Sequence, residues 1–257
     1  MKRAVWSMVF CAASLAASAA SAADLSAAQI AEKNIAARGG LEAWRAVNTL
    51  TLTGEMDAGG KRDMKLPFVF SMKRAHKTRL ELRFEEQTAV QTYDGVKGWK
   101  LRPFLGRNDV EPFTAAEAKS AAATDELDGP LLDYARKGTR IELVGMDKVE
   151  GKSAYKLKLT TKGGEARNLW LDASSFLEAK IDGEPRKLDG KPHKVAVFYR
   201  DFKTVGALTL PHTLETVVDG VKGSHKMTIQ TVAVNRPLDD ALFAKPRAAA
   251  ANAAAAQ

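Results

Sequence analysis

The sequence predicts an α+β fold in which one strongly curved antiparallel sheet forms an incomplete β-barrel, covered by N-terminal and central helices. Two observations support this prediction. Apolar and polar residues alternate over 64–72 and 80–84, and similar runs recur as far as residue 234, as in strands with one buried face. No helical segment follows each strand, so a parallel βαβ architecture is excluded and roughly ten to twelve antiparallel strands remain.

Residues 1–23 have the composition of a signal peptide that is cleaved near Ala22 or Ala23. Two basic residues precede an apolar run that ends in small residues. This run is too short for a permanent membrane anchor. It contains Cys11, the only cysteine of the chain, so the mature protein would hold no disulfide and no thiol nucleophile. We therefore expect an exported protein.

The charge of the chain disfavours nucleic acid as a partner. The formal net charge is +8, and removal of the two basic residues of the signal peptide would leave about +6 (8 − 2). Basic residues are scattered among acidic ones along the alternating segments, and an exported protein seldom meets nucleic acid. A surface that faces anionic lipid or acidic partners fits this pattern, and a merely solubilising surface fits it equally well.

Capping boxes begin two of the predicted helices, one at Ser26 with Gln29 and one at Thr114 with Glu117. Gly39-Gly40 ends the first of these helices. Further helical turns are expected between the strands and near the C-terminus. The predicted helical segments are 26–38, 41–46, 115–123, 131–134 and 238–243.

The predicted strands alternate in polarity and are separated by turn residues such as Asp94-Gly95. In the first half of the chain they are expected at 50–56, 64–72 and 80–84, with further strands as far as residue 101. In the second half they are expected at 140–146, 154–161, 166–172, 177–183, 194–204, 208–218 and 225–234. Residues 185–192 are expected to connect two strands. The sequence thus predicts one domain over 24–247, followed by a disordered Ala-rich tail at 248–257.

Residues that could support catalysis or bind metal are dispersed. None of the four histidines lies one helical turn from another, and no HExxH, GxSxG or phosphate-binding loop is present. The chain is therefore expected to have no catalytic residues, no metal site and no cofactor. A hydrolase that assembles distant His and Asp side chains, with His212 as the first residue to test, stays open as a minor alternative.

The apolar face of the predicted sheet is the feature that most favours a ligand. A curved sheet needs a cover over its inner face, and the predicted helices are few and Ala-rich. The sequence alone allows either a tightly filled barrel or a cavity. The residues predicted to line such a cavity are Leu66, Phe68, Phe70, Met72, Leu80, Leu82, Phe84, Trp99, Leu101 and Leu157. Arg74 and Arg79, near strand ends, are candidates to contact an anionic headgroup or a partner, or are simply solvated edge charges.

Three short motifs resemble those of periplasmic lipoprotein carriers of the LolA type. They are Lys73-Arg74-x-x-Lys77-x-Arg79, Tyr93-Asp94-Gly95-x-x-x-Trp99 with Pro103-Phe104, and Asp240-x-x-Phe243-x-x-Pro246. Ala75 stands where the family usually has proline. The resemblance implies an incomplete β-barrel closed by helical lids, which holds acyl chains in an apolar cavity in the periplasm. The Ala-rich helix at 115–123 would then suit a movable lid.

These observations lead to one main hypothesis and one alternative. The main hypothesis is a soluble, non-enzymatic periplasmic carrier that binds the acyl chains of lipoproteins or lipids and delivers them to the outer membrane. The expected partners are an acylated lipoprotein or lipid and a membrane receptor or release complex, with the carrier itself a monomer. The alternative is an envelope stress or assembly factor that uses the same sheet to dock a protein partner.

Overall fold

The computed structural model describes residues 25–57, 64–124 and 127–247. The predicted signal peptide and the Ala-rich tail lie outside these ranges, so those predictions stay untested. In the described part of the chain, no helix is both long and apolar enough to cross a membrane.

Strands dominate the structure and form two antiparallel meanders, β1 to β6 and β7 to β13, that join into one sheet where β1 pairs with β13. Within the described ranges, one sheet contains 13 strands in the order β6-β5-β4-β3-β2-β1-β13-β12-β11-β10-β9-β8-β7. The strands are β1 Thr49–Asp57, β2 Lys65–Lys73, β3 Lys77–Phe84, β4 Gln87–Asp94, β5 Gly98–Arg102, β6 Arg107–Pro112, β7 Arg140–Val149, β8 Lys152–Thr160, β9 Ala166–Asp172, β10 Glu178–Leu188, β11 Lys191–Val205, β12 Leu208–Val218 and β13 Ser224–Val234. The first strand pairs with the last, and β6 and β7 stay at opposite edges, so the curved sheet is not closed into a barrel.

The predicted fold class is confirmed, with two corrections to the strands. The sequence pattern missed β6, whose six residues are mostly exposed and therefore lack an apolar alternation. The connection expected at 185–192 is instead a hairpin that extends β10 and β11. Its turn lies at Asp189-Gly190, where both residues have positive φ. The two prolines lie in the parts of the hairpin that are largely exposed, where the missing N–H groups cost little.

Strand register sorts the large apolar side chains onto the inner face. Leu52 pairs with Phe70, and Phe70 in turn pairs with Leu80, so the three side chains share one face. On the other side of the seam, Ile181 pairs with Val197. The inner face therefore runs continuously across both halves of the sheet.

The helices lie where the capping residues predict them. They are α1 Ala27–Ala37, α2 Leu41–Arg45 and α3 Ala115–Thr124. The Ser26 capping box is complete, and the Thr114 box forms with Glu117. Gly39 and Gly40 both have positive φ after α1, which explains why the helix stops there. Residues 131–134 form turns and not a regular helix.

Two clusters of buried side chains fill parts of the inner face. One surrounds Trp44 of α2 and includes Leu50, Leu52 and Phe68. The other forms where Ile30 and Ala31 of α1 pack on leucines of β8 and β9, among them Leu157. The first two helices therefore contribute the largest and best buried part of the cover.

The C-terminal turn fastens to the outer face of the sheet. This 3₁₀ turn, Asp240–Phe243, buries Phe243 completely. The Asp240 carboxylate lies 2.7 Å from the Lys73 ammonium and 2.9 Å from the Lys77 ammonium. Hydrogen bonds from these two lysines lower the pKa of Asp240 to about 2. The predicted closing motif is thus an outer-face latch, held by one buried ring and two ion pairs.

Replacement of Phe243 by alanine should loosen this latch. Because the ring is fully buried, the variant should lose about 3–5 kcal/mol of unfolding free energy in urea titrations. Leu105→Ala is the control, since its side chain is 62% exposed and should change stability little. Equal stability of the two variants would show that the C-terminal turn does not contribute to the fold.

Candidate functional site

An apolar cavity lies between the inner face of the sheet and its helical cover. Its volume is about 750 Å³, which is within the usual range for small-molecule sites. The central strands form its floor, and α3 with residues 127–130 forms much of its roof. The apolar lining residues are Trp44, Leu50, Leu52, Phe70, Met72, Leu127, Ile181, Val195, Val197, Tyr199, Leu210, Leu214 and Ile229.

The cavity exists because small residues stand where the cover crosses the sheet. On α3, Ala116 and Ser120 face the space, and on the loop that follows, Gly129 does so. The floor borders both buried clusters, through Leu50 of the first and Ile181 of the second. The sequence allowed either a tightly filled barrel or a cavity. The structure has both, since two packed clusters flank an unfilled space.

The residues predicted to line a cavity divide into three groups. Phe70 and Met72 line the space directly. The other predicted residues on the same inner face help to build its walls or the adjoining core. They are Leu66, Phe68, Leu80, Leu82, Phe84 and Leu157, with Phe84 packed edge-on against Phe104 at 5.9 Å between ring centres. The third group is Trp99 and Leu101, which the structure does not bring to this cavity.

Trp99 and Leu101 lie on the outer face. In β5 the residue between them, Lys100, points inward and binds Glu117 of α3. Trp99 pairs with Thr92, whose hydroxyl donates to the carbonyl of Phe243 in the C-terminal latch. Apolar character alone gave the wrong face for this strand, because Leu101 is buried on its outer side and the Lys100–Glu117 ion pair lies on its inner side.

The predicted cavity residues include none of those that β11 and β12 contribute to the floor. Val195, Val197 and Tyr199 of β11 alternate inward, as do Leu210 and Leu214 of β12. Their period-two pattern is visible in the sequence. The seam between β1 and β13, which brings them opposite Phe70, is not visible there, because the pairing joins residues far apart in the chain.

The two arginines predicted to contact a headgroup make internal contacts. Arg74 donates to the carbonyls of Val47 and Trp44 and to the Asp128 carboxylate. Arg79 binds Glu81 and donates to the carbonyl of Leu242 in the latch. Both side chains thus hold parts of the fold together, and a contact with a headgroup stays a prediction.

The roof has one firmly held part, residues 127–138. The Asp128 side chain is 6% exposed and accepts from Arg74 at 2.9 Å and from Lys137 at 2.7 Å. Its carbonyl accepts from the buried Arg38 at 2.8 Å. Leu131 and Leu132 are almost fully buried beside it. This segment is a fixed wall of the cavity.

The other part of the roof, α3, is held mainly by ionic contacts. Lys100 donates to both carboxylate oxygens of Glu117, at 2.6 and 2.7 Å, and Lys119 lies 3.1 Å from Glu165. Burial raises the pKa of Glu117, but hydrogen bonds from Lys100 and Thr114 outweigh this effect and keep that pKa below its usual value. The helix offers no large apolar side chain to the cavity, only Ala116, Glu117, Lys119 and Ser120, so it can separate from the sheet with little loss of packing.

The histidines of the described ranges do not form a metal-binding cluster. Among residues 25–57, 64–124 and 127–247, no three His, Cys, Asp or Glu side chains lie close enough together to hold a metal ion. His212 is buried with Nδ1 at 3.2 Å from the carbonyl oxygen of Leu210, and His193 contacts the carbonyl of Asp219 on another hairpin. These two rings are bound to main-chain oxygens and not to carboxylates.

Solved structures with the same architecture have a LolA-type fold. A LolA superfamily protein from Nitrosomonas europaea is 14% identical with a TM-score of 0.56, over 86% of this chain and 98% of that chain. A domain described as that of an outer membrane lipoprotein-sorting protein, from Vibrio parahaemolyticus, is 14% identical with a TM-score of 0.54, over 84% and 95%. A DUF1329 family protein from Desulfovibrio piger is 12% identical with a TM-score of 0.57, also over 84% and 95%.

At these identities the likeness establishes the fold alone. It confirms, at that level, the resemblance predicted from the motifs between residues 73 and 104. No family model matches the sequence, and no curated protein matches it.

Loss of the Asp128 charge should destabilise the fixed wall. Asp128→Asn leaves Arg74 and Lys137 without their shared carboxylate, so we expect a loss of about 2–3 kcal/mol in unfolding free energy and faster amide exchange over 127–138. Glu42→Gln removes an ion pair whose acid is 85% exposed and should cost much less. An unchanged exchange rate in Asp128→Asn would contradict the role of this carboxylate.

Acid should release α3 before it unfolds the protein. Because the pKa of Glu117 is depressed, its contribution is complete above the usual carboxyl pKa and is lost as pH falls below that range. Spin labels on Ala122→Cys and Ser153→Cys should report a broadened distance at about pH 3, and Glu117→Gln should broaden it already at pH 7. Glu142→Gln, an exposed acid on β7, is the control. A narrow distance in Glu117→Gln at both pH values would exclude this clasp.

Proposed function

We propose that the protein is a soluble periplasmic carrier that shelters the acyl chains of lipoproteins or lipids and delivers them to the outer membrane. The observation that carries the proposal is the cavity of about 750 Å³, lined mainly by aliphatic and aromatic side chains beneath a weakly packed helix. Such a site matches hydrocarbon, which needs apolar surface and excluded water and makes no demand for directed hydrogen bonds.

The energetics of hydrocarbon burial suit a carrier. Burying a methylene contributes about 0.8 kcal/mol, so about ten methylenes supply about 8 kcal/mol, equivalent to a micromolar dissociation constant before ordering costs. The cavity can therefore retain a single acyl chain through its walls alone. Release then depends on opening the roof, because the walls offer no chemical step that would discharge the ligand.

Helix α3 is the part of the roof best suited to open. The Lys100–Glu117 clasp and the Lys119–Glu165 pair fix it at two points. The wall at 127–138 keeps the cavity in shape when α3 moves, since Asp128, Arg74 and Lys137 hold it independently. This division between a fixed wall and a detachable helix is what a loading and unloading cycle requires.

The structural neighbours support the same proposal without extending it. The Vibrio parahaemolyticus domain is described as that of an outer membrane lipoprotein-sorting protein, and the fold is shared. We carry the idea of acyl transport to this chain on the strength of its own cavity. A non-enzymatic role and a periplasmic location are parts of the same proposal, as is the predicted export signal.

The proposal is tested first by what the protein carries. Protein purified from the periplasm without detergent should contain lipid or lipoprotein in organic extracts analysed by mass spectrometry, and should bind a fluorescent fatty acid after delipidation. The absence of lipid in the extracts, together with failure to bind the probe, would overturn the proposal that the protein is a carrier. A defined protein partner bound at fixed stoichiometry after delipidation would favour the docking alternative.

Filling the cavity from its floor should weaken acyl binding. Val197→Phe adds volume beneath the roof, and each displaced methylene costs about 0.8 kcal/mol, so loss of two weakens a fluorescent fatty acid roughly fifteen-fold. Ala196→Phe places the same ring on the opposite face of β11 and should bind like the unmodified protein. Thermal unfolding of both variants checks that they are folded. Equal affinity in the two would place the ligand elsewhere.

A further inference from the structure

The cavity has a polar end that hydrocarbon binding does not explain. Among its lining residues are Arg38, which leads out of α1, Arg167 of β9 and Tyr199 of β11. Arg167 pairs with Leu159 and Tyr199 with Leu214, so both belong to the inner face of the sheet. Two guanidinium groups and a phenol thus meet the apolar floor. The other charged residues of the lining are Glu117, Lys119, Asp182, Glu184 and Arg186.

Arg38 is buried and only partly satisfied. Its side chain is 9% exposed, lies 4.2 Å from the centre of the Trp44 ring and donates through Nη1 to the carbonyl of Asp128. The Glu178 carboxylate is 3.5 Å from the same nitrogen. Its Nε is fully buried and has no hydrogen-bond acceptor within the described residues. A buried donor without an acceptor is costly, so the described residues satisfy this guanidinium incompletely.

Among the described residues, Arg167 has no counter-charge of its own. In the described part of the chain, no hydrogen bond and no ion pair involves its side chain, although it is half-buried at the wall of the cavity. By contrast Arg74 and Arg79, both partly buried, each bind a carboxylate. An unpaired guanidinium at an apolar wall is poorly stabilised without an anion.

Tyr199 adds a hydrogen-bond donor at the same place. Burial raises the pKa of this phenol to about 12, and the Glu178 charge adds to the effect, while Arg167 and Arg38 oppose it. The hydroxyl therefore keeps its proton at neutral pH. Arg38, Arg167 and Tyr199 all line the same cavity.

Arg38, Arg167 and Glu178 together carry one net positive charge, since the two arginines contribute two positive charges and Glu178 one negative charge. One further negative charge would neutralise the group, and a carboxylate or phosphate matches the planar fork of an arginine. The apolar floor begins directly beside it, at Ile181 and Val197.

We infer that the cavity selects an anionic amphiphile, whose carboxylate or phosphate lies among Arg167, Arg38 and Tyr199 while its hydrocarbon tail lies on the apolar floor. This inference rests on the proposed function, because it names the head group of the acyl ligand that the carrier shelters. It assigns binding to a lipid acid, and it makes neutral acyl compounds the weaker ligands.

The test compares three ligands that share one oleoyl tail: oleate, oleoyl lysophosphatidate and the neutral 1-oleoylglycerol. Each is titrated below its critical micelle concentration into the delipidated full chain by competition with a fluorescent fatty alcohol. We expect at least one anionic ligand to bind roughly tenfold or more tightly than the neutral one, and the stronger of the two identifies carboxylate or phosphate. Equal affinity for all three would overturn the inference and leave the carrier intact. Failure of all three, and of the alcohol probe, would overturn the carrier itself.

Arg167→Met provides the matched variant. It removes the charge and keeps an apolar chain at the wall, so the preference for the anion should fall roughly tenfold while 1-oleoylglycerol binds as before. Arg83→Met removes an exposed arginine on the outer face of β3 and should change neither affinity. If Arg167→Met and Arg83→Met keep the same preference, or if Arg167→Met weakens both kinds of ligand equally, Arg167 does not recognise the head group.

Discussion

The mismatch between a wide sheet and a narrow cover is the constraint on which this structure depends. The strands of the described chain curl around more apolar surface than three short helices can bury. Bulky residues solve the problem at two places, around Trp44 and around Leu157. Between them the cover includes the small residues Ala116, Ser120 and Gly129, and a space of about 750 Å³ remains. Side-chain volume thus decides where the interior is close-packed and where it can accept a ligand.

The ionic contacts of the roof divide it into parts with different stability. Asp128 is almost enclosed, so its two cations and its carbonyl contact form a junction that ties α1, the β2 end and the central segment together. Glu117 is more accessible and holds α3 through a single lysine. The ion pairs therefore keep the wall at 127–138 fixed and leave α3 able to detach.

The sequence predicted the fold and the inner face well where its signals are local. Capping boxes placed α1 and α3, and period-two alternation placed Phe70, Leu80 and the strands on which they lie. It failed where the outcome depends on distant partners. Trp99 and Leu101 were predicted to face the cavity, but their register with β4 places them on the outer face, where the C-terminal latch lies. Arg74 reads as a surface cation because Asp128, its buried partner, lies 54 residues away in sequence.

The seam between β1 and β13 imposes an order on the assembly of the chain. Leu50 pairs with Val234, so the middle of the finished sheet joins the two ends of the polypeptide, while every other strand pairs with its sequence neighbour. Each half can form hairpins as it emerges, yet the floor of the cavity is incomplete until the last strand arrives. Such long-range pairing forms slowly, and apolar strand edges stay exposed until β13 has paired with β1. A chain of this design is most vulnerable to self-association just before it is finished.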